Sequence, residues 1–284
     1  MSASIKQGHY LAARITKKYA KSFYAASVFL PRDKKYAIFS IYAICRINDE
    51  AVDNNATPDK EGALLEFKEK LDAAYGTSAL NDSLLLALRE AAIKYAVPRK
   101  YFEELLSGMH MDLCKNRYQN FQELYQYCYK VASVVGLMLL KIFDNQNLDL
   151  EKYAVDLGIA MQLTNILRDI KEDYLKERVY LPQDEMANYG VTDYDLSSGI
   201  VNENFKSLLK FQIARARQYY RNSQAGLKII KDRRCRLTAT VMKEMYIRIL
   251  DTIEKNNYDV FLQRSSTATL EKIMVLLKTL IKDY

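Results

Sequence analysis

The chain has 284 residues, 49% of them hydrophobic, with only 9 glycines and 4 prolines, so it can bury a large core and offers few breakers to divide it. Its 42 Lys and Arg against 35 Asp and Glu give a formal charge of +7, which favours anionic partners. The basic residues are scattered and carry no aromatic-and-basic signature, which argues against a nucleic-acid binder; the richest cluster, Lys231-Asp232-Arg233-Arg234, reads as a solvated face.

Abundant Ala, Leu, Lys, Glu and Tyr suit long helices, because straight-chain residues lose little rotamer freedom there. The expected class is all-α, one domain over residues 1–284. Met1 to Lys6 lacks the apolar core of a signal peptide. After Pro31-Arg32-Asp33, where Asp33 is placed to cap a helix, Tyr36, Phe39, Ser40, Ala43, Ile44 and Ile47 recur at steps of three and four, the period of a core-facing helix. Breaks follow at Asn54 to Asp59 and Gly76 to Asn81; Asn81-Asp82 is placed to cap the next helix and Pro98 to open the one after. The helix after Phe121 carries Tyr129, Ala132, Ser133 and Gly136 on one stripe, which admits a close neighbour: a packed helix or an apolar ligand. The apolar run Val131 to Leu140 is too short to span a bilayer and stops at Lys141, so no integral membrane segment is expected. A further break spans Phe143 to Asn147, and a longer loop is expected over Arg178 to Gly199.

Cys45, Cys114, Cys128 and Cys235 form no C-x-x-C pair, and His9 and His110 stand alone, so neither thiol-based zinc binding nor a disulfide framework is expected and the default compartment is a reducing cytoplasm.

Two acidic pairs share one form, Asp49-x-x-x-Asp53 and Asp169-x-x-x-Asp173. A four-residue step on a helix turns only about 40° from alignment, so each pair presents both carboxylates from one face. Tyr42, Arg46, Asp49 and Asp53 form one polar stripe on an otherwise apolar helix; Gln162, Asn165, Asp169 and Asp173 form another. Either pair alone would pass for surface acids, and Arg46 and Arg168 for their ion-pair partners. Together, on helices that read as buried, they require cations. Facing rows would repel by about 4 kcal/mol per close pair at an effective dielectric of roughly 20. Divalent cations resolve that, and an all-oxygen donor set selects Mg²⁺, which also neutralises a diphosphate leaving group, over zinc or copper.

At these residues the sequence resembles the squalene and phytoene synthase family of head-to-head prenyltransferases. The resemblance is carried by Lys21-Ser22-Phe23, the run Ile41 to Asp53, Gly108-Met109-His110-Met111-Asp112-Leu113, Tyr127 to Ala132, the run Gln162 to Asp173, Arg178 to Pro182 and Met245 to Leu250, in order along nearly the whole chain. It implies an isoprenoid-synthase helical bundle around a central apolar cavity. It also implies that two farnesyl or geranylgeranyl diphosphates join through a cyclopropylcarbinyl diphosphate to give dehydrosqualene or phytoene, the first step of carotenoid biosynthesis. By the same resemblance Asp49, Asp53, Asp169 and Asp173 would hold several Mg²⁺ ions with Asn165 and Gln162 in support. Lys21, Ser22, Arg46, Arg168, Tyr180 and Tyr246 would contact diphosphate, and Tyr42 and Tyr129 would line the reacting centre.

Glu50 stands where Asp is common in the family and Ser133 where Gly is usual, which would narrow the pocket slightly. Ser27 leaves room for a C20 chain, whereas the bulky Phe39 would fill the same space. The anchor-bearing C-terminal region of eukaryotic squalene synthases is not seen, which points to the bacterial carotenoid-type enzymes. The apolar product implies peripheral contact with the inner membrane face. The alternatives are a squalene synthase using NADPH, a head-to-tail prenyltransferase or terpene cyclase, and a non-catalytic assembly protein on the same fold.

Overall fold

The computed structural model describes residues 3–53, 59–144 and 147–262, together with Val275 and Thr279. Helices dominate: α1 (Ala3–Tyr19), α2 (Lys21–Ala26), α3 (Arg32–Asp53), α4 (Lys60–Tyr75), α5 (Ser83–Tyr95), α6 (Arg99–Cys114), α7 (Phe121–Cys128) and α8 (Val134–Asp144) make the first part. The second comprises α9 (Glu151–Arg168), α10 (Ile170–Tyr174), α11 (Gln183–Asn188), α12 (Asp193–Ser198), α13 (Glu203–Ile229) and α14 (Arg233–Lys255). Among the described residues there is no strand, only an isolated parallel bridge between Arg117 and Val179.

Local chemistry sets the helix ends. Asp82 caps α5 by accepting from the amides of Leu84 and Leu85, and Pro98 stands at the N-cap of α6. Asp33 does not cap: α3 already starts at Arg32, and the Asp33 carboxylate instead accepts from Lys94 and Tyr95 of α5, both at 2.9 Å. The stretch expected as a loop over Arg178 to Gly199 holds α11 and α12. A reciprocal Thr192–Asp195 capping box starts α12, and Gly199 ends it at φ 63°, a left-handed backbone that glycine adopts without steric cost.

Two apolar cores result. One gathers side chains of α1, α3, α4, α5, α6 and α8, such as Ile38, Ile41, Phe67, Leu88 and Phe102. The other gathers α7, α9, α13 and α14, with Ile159, Leu163, Phe205, Leu208 and Leu250. Tyr129, Val155 and Leu157 pack against both. Helix α9 is packed by α7, α8, α13 and α14, yet its Leu157, Met161, Gln162 and Asn165 stay only half-buried.

Residues 121–144 form one continuous helix, but Tyr129–Ser133 is a π-turn inside it, where a regular α-helical stripe was expected. Such bulges re-aim side chains by one extra residue and recur at functional sites. The Val131 to Leu140 run is therefore part of a 24-residue helix that is, by length and composition alone, apolar enough to cross a membrane. Half of its apolar window is buried inside the protein, where Cys128, Val134, Leu137 and Met138 belong to the two cores, as in the core helix of a globular fold.

Tight packing accounts for the small residues on this helix. Ser133 is fully buried and donates its hydroxyl to the Val155 carbonyl at 2.9 Å, and a Cβ on Gly136 would stand 3.0 Å from the Ala154 carbonyl oxygen. Ser133 thus faces α9, so the expectation that it narrows the pocket is replaced by a helix-packing role.

Candidate active site

The first acidic row lies on the last turns of α3. Arg46 donates to Asp49 at 2.6 Å and to Glu50 at 2.7 Å, and its guanidinium sits 5.0 Å from the Tyr19 ring centroid. Asp53 is the last residue of α3, and its side chain lies outside the described residues. One turn before Arg46, Tyr42 is half-buried; burial pushes its phenol well up, so it remains a neutral hydroxyl. Phe23 packs on Tyr42 with ring centroids 5.7 Å apart, which brings the start of α2, with exposed Lys21 and half-buried Ser22, toward this end of α3.

The second row does not sit on one unbroken helix. At Asp169 the backbone bends (φ −105°, ψ 14°), separating α9 from α10. The amide of Asp169 still reaches the Asn165 carbonyl at 2.9 Å and that of Asp173 reaches the Asp169 carbonyl at 2.8 Å, so the spacing of one turn survives the bend. Arg168 forks onto Asp169 at 2.7 and 2.5 Å, with both side chains largely buried. Gln162 accepts from the Asn165 amide nitrogen at 3.3 Å.

A third carboxylate, Asp112 of α6, joins this row. Its two oxygens accept from Tyr180 at 2.7 Å and Tyr127 at 2.9 Å, and its carbonyl accepts from Arg178 at 3.2 Å. Tyr180 and Tyr127 stack at 5.0 Å, and Tyr180 is buried. The Tyr180 hydroxyl, which the resemblance assigns to diphosphate, donates to Asp112 in this structure. Only tertiary folding brings Asp112 here; its single sequence signal was its place in the Gly108 to Leu113 segment.

The carboxylates leave a charge to be neutralised. Burial, followed by the neighbouring Asp169 and more weakly Asp112, pushes the Asp173 carboxyl up to about 7. Asn165 Oδ1 is buried and makes no hydrogen bond. An orphaned amide oxygen beside clustered carboxylates is the all-oxygen donor set that a hard divalent cation takes. Beside Asp173 a small recess is lined by Ile166, Ile170, Arg178, Tyr180, Leu181 and Leu196.

Tyr246 of α14 lies near Tyr42 of α3 and near Tyr220 of α13, whose hydroxyl meets that of Thr164 on α9 at 2.9 Å. Tyr129 is half-buried and packs against both cores.

A model of the squalene/phytoene synthase family matches residues 16–272. The chain belongs to this family. A 15-cis-phytoene synthase of Synechococcus elongatus is 35% identical over 287 residues, covering 96% of this chain and 92% of that protein. A phytoene synthase of Arthrospira platensis is 37% identical over 289 residues, covering 96% and 93%. Among solved structures, a dehydrosqualene synthase in complex with ligand superposes with a TM-score of 0.91 at 29% identity, covering 99% of this chain and 98% of that one. A squalene synthase from Alicyclobacillus acidocaldarius, at 22% identity and a TM-score of 0.84, shares the fold. The all-α isoprenoid-synthase bundle expected from the sequence is thereby established, as is membership of a prenyltransferase family that uses prenyl diphosphates and divalent metal.

Proposed function

We propose that this protein condenses two molecules of one prenyl diphosphate head to head, through a cyclopropylcarbinyl diphosphate, and releases a symmetric polyene without reduction. The observation that carries the reading is the clustering of Asp169 and Asp112 about Asp173, with a buried Asn165 oxygen that makes no hydrogen bond one helical turn before Asp169.

Asp49 and Asp53 on one side, and Asp169, Asp173 and Asn165 on the other, are the residues that would hold Mg²⁺, with Gln162 orienting Asn165. When bound, the metal neutralises the charge that develops on a departing diphosphate. Arg46 and Arg168 hold Asp49 and Asp169 in place, and their guanidinium groups would turn to phosphate oxygens when a diphosphate binds. Lys21, Ser22 and Tyr246 complete the polar rim. Tyr42 and Tyr129, half-buried neutral phenols, would line the reacting centre, shielding a carbocation from water and stabilising it with their ring faces. Tyr127 and Tyr180 fix Asp112 against the second row.

The curated relatives at 35% and 37% identity are phytoene synthases, which favours geranylgeranyl diphosphate and a C40 product. The dehydrosqualene synthase of matching fold keeps farnesyl diphosphate and a C30 product as the second reading. Ser27 and Phe39 do not decide between them. The Ser27 hydroxyl is buried on the Tyr24 carbonyl, and Phe39 packs between Phe23 and Tyr24. We further propose a cytoplasmic location with transient docking to the inner membrane face, since so apolar a product cannot leave through water; indifference of the protein to anionic vesicles at low salt would refute it.

Supplying the C15 and C20 diphosphates separately with Mg²⁺ and weighing the products tests the reading. A C40 hydrocarbon from the C20 substrate supports it, and a cyclised or linearly elongated product overturns it.

A further inference from the structure

His110 is not isolated in the fold. One turn apart on the last turns of α6, His110 and Cys114 share a face, with the sulfur 3.6 Å from Nε2. Glu61, in the first turn of α4, places a carboxylate oxygen 3.5 Å from the same Nε2. The three donor atoms lie within 4.8 Å of one another, all on exposed residues. In a tetrahedral zinc shell, with Zn–S about 2.3 Å and Zn–N or Zn–O about 2.0 Å, neighbouring ligand atoms stand about 3.3–3.6 Å apart; the sulfur-to-Nε2 and Nε2-to-carboxylate spacings fall in that range, and the sulfur and carboxylate lie within 4.8 Å of each other.

We propose that Glu61, His110 and Cys114 form a surface site for a zinc-class divalent cation, with water as the fourth ligand, that clamps α4 to α6. A sulfur–nitrogen–oxygen set selects a borderline-soft ion and rejects Mg²⁺, which separates this site from the aspartate rows. The negative end of the α6 dipole also favours a cation beside Cys114. Binding displaces the thiol proton to solvent and leaves the thiolate as ligand, so no redox partner is needed.

Cys45, Cys128 and Cys235 are buried, so alkylation of the folded protein reports on Cys114. In buffer saturated with Mg²⁺, Zn²⁺ at one equivalent should slow that alkylation by roughly tenfold or more, and Co²⁺ should produce a thiolate-to-metal charge-transfer band. Loss of an outer-shell partner alone costs about 10–100-fold in metal affinity, so Glu61→Gln and His110→Gln should each weaken Zn²⁺ by at least that much. Cys114→Ser should abolish the band while the protein stays folded by circular dichroism. Because each readout is on the sulfur, metal at the carboxylate rows does not register. Alkylation at the same rate with and without Zn²⁺, or no cobalt band in the unaltered protein, overturns the site.

Discussion

Replacing Gly158 with Ala tests how the bundle holds the π-turn that carries Tyr129. A Cβ there would stand 2.5 Å from Ser133 Cα and 2.7 Å from Ser133 N, with the hydroxyl at 2.9 Å. The two nearest atoms are backbone, so no rotamer change relieves the clash; α9 and the π-turn must separate by the better part of an ångström. Overpacking of this kind costs roughly 1–3 kcal/mol. For 284 residues an unfolding entropy of about 2.1 cal/mol/K per residue sums to about 0.6 kcal/mol/K, so Tm should fall by roughly 2–5 °C in a calorimetric scan. Turnover should fall as well, because the displaced turn moves Tyr129. Adding Ser133→Ala removes only the third-nearest atom and should recover little. An unchanged Tm, or full recovery by Ser133→Ala, would refute the close backbone contact.

Tyr180→Phe leaves the half-buried Asp112 with one donor fewer, and loss of a hydrogen bond to a charged group costs about 1.5–3 kcal/mol. Chemical denaturation should show that loss, whereas a purely substrate-contacting Tyr180 would raise KM and leave stability alone. Asp49→Asn and Asp169→Asn should each abolish turnover and keep the far-ultraviolet circular dichroism of the folded chain; retained turnover in either removes that residue from the site. The Lys94 hydrogen bond, aided by Tyr95, holds Asp33 down to about 2. Its stabilisation is therefore complete above the unfolded value near 4 and is lost as pH falls from there through 2. The pair is half-exposed and worth no more than about 1 kcal/mol, so Asp33→Asn should lower Tm slightly at pH 7, with the difference narrowing below pH 4; a difference that widens in acid would contradict the pairing.

Patterns that repeat along one helix were legible in the sequence. The three-and-four spacing foretold the burial of Phe39, Ser40, Ala43 and Ile44 on α3, whereas Ile47 of the same stripe is exposed and Ile38, Ile41 and Cys45 off it are buried too; Asp82 and Pro98 marked the helix starts where they stand. The second aspartate pair kept its one-turn spacing, although the bend at Asp169 was not foreseen, because the four-residue period is unaltered across it. What required the third dimension stayed hidden. Asp112 meets Tyr180 across 68 positions of chain, and Glu61 meets His110 between separate helices. The π-turn was invisible because one extra residue in a helix leaves Tyr129 and Ser133 on a plausible regular stripe; only the fold shows Ser133 packed against Gly158 on another helix.

The central claim is that both aspartate rows grip one diphosphate through shared metal. A crystal structure with an unreactive thio-analogue of the substrate and Mn²⁺, read by anomalous scattering, addresses it directly. The account predicts manganese peaks that link the analogue's phosphate oxygens to Asp49 on one side and to Asn165, Asp169 and Asp173 on the other. Metal confined to a single row, with the other turned to solvent, would contradict it.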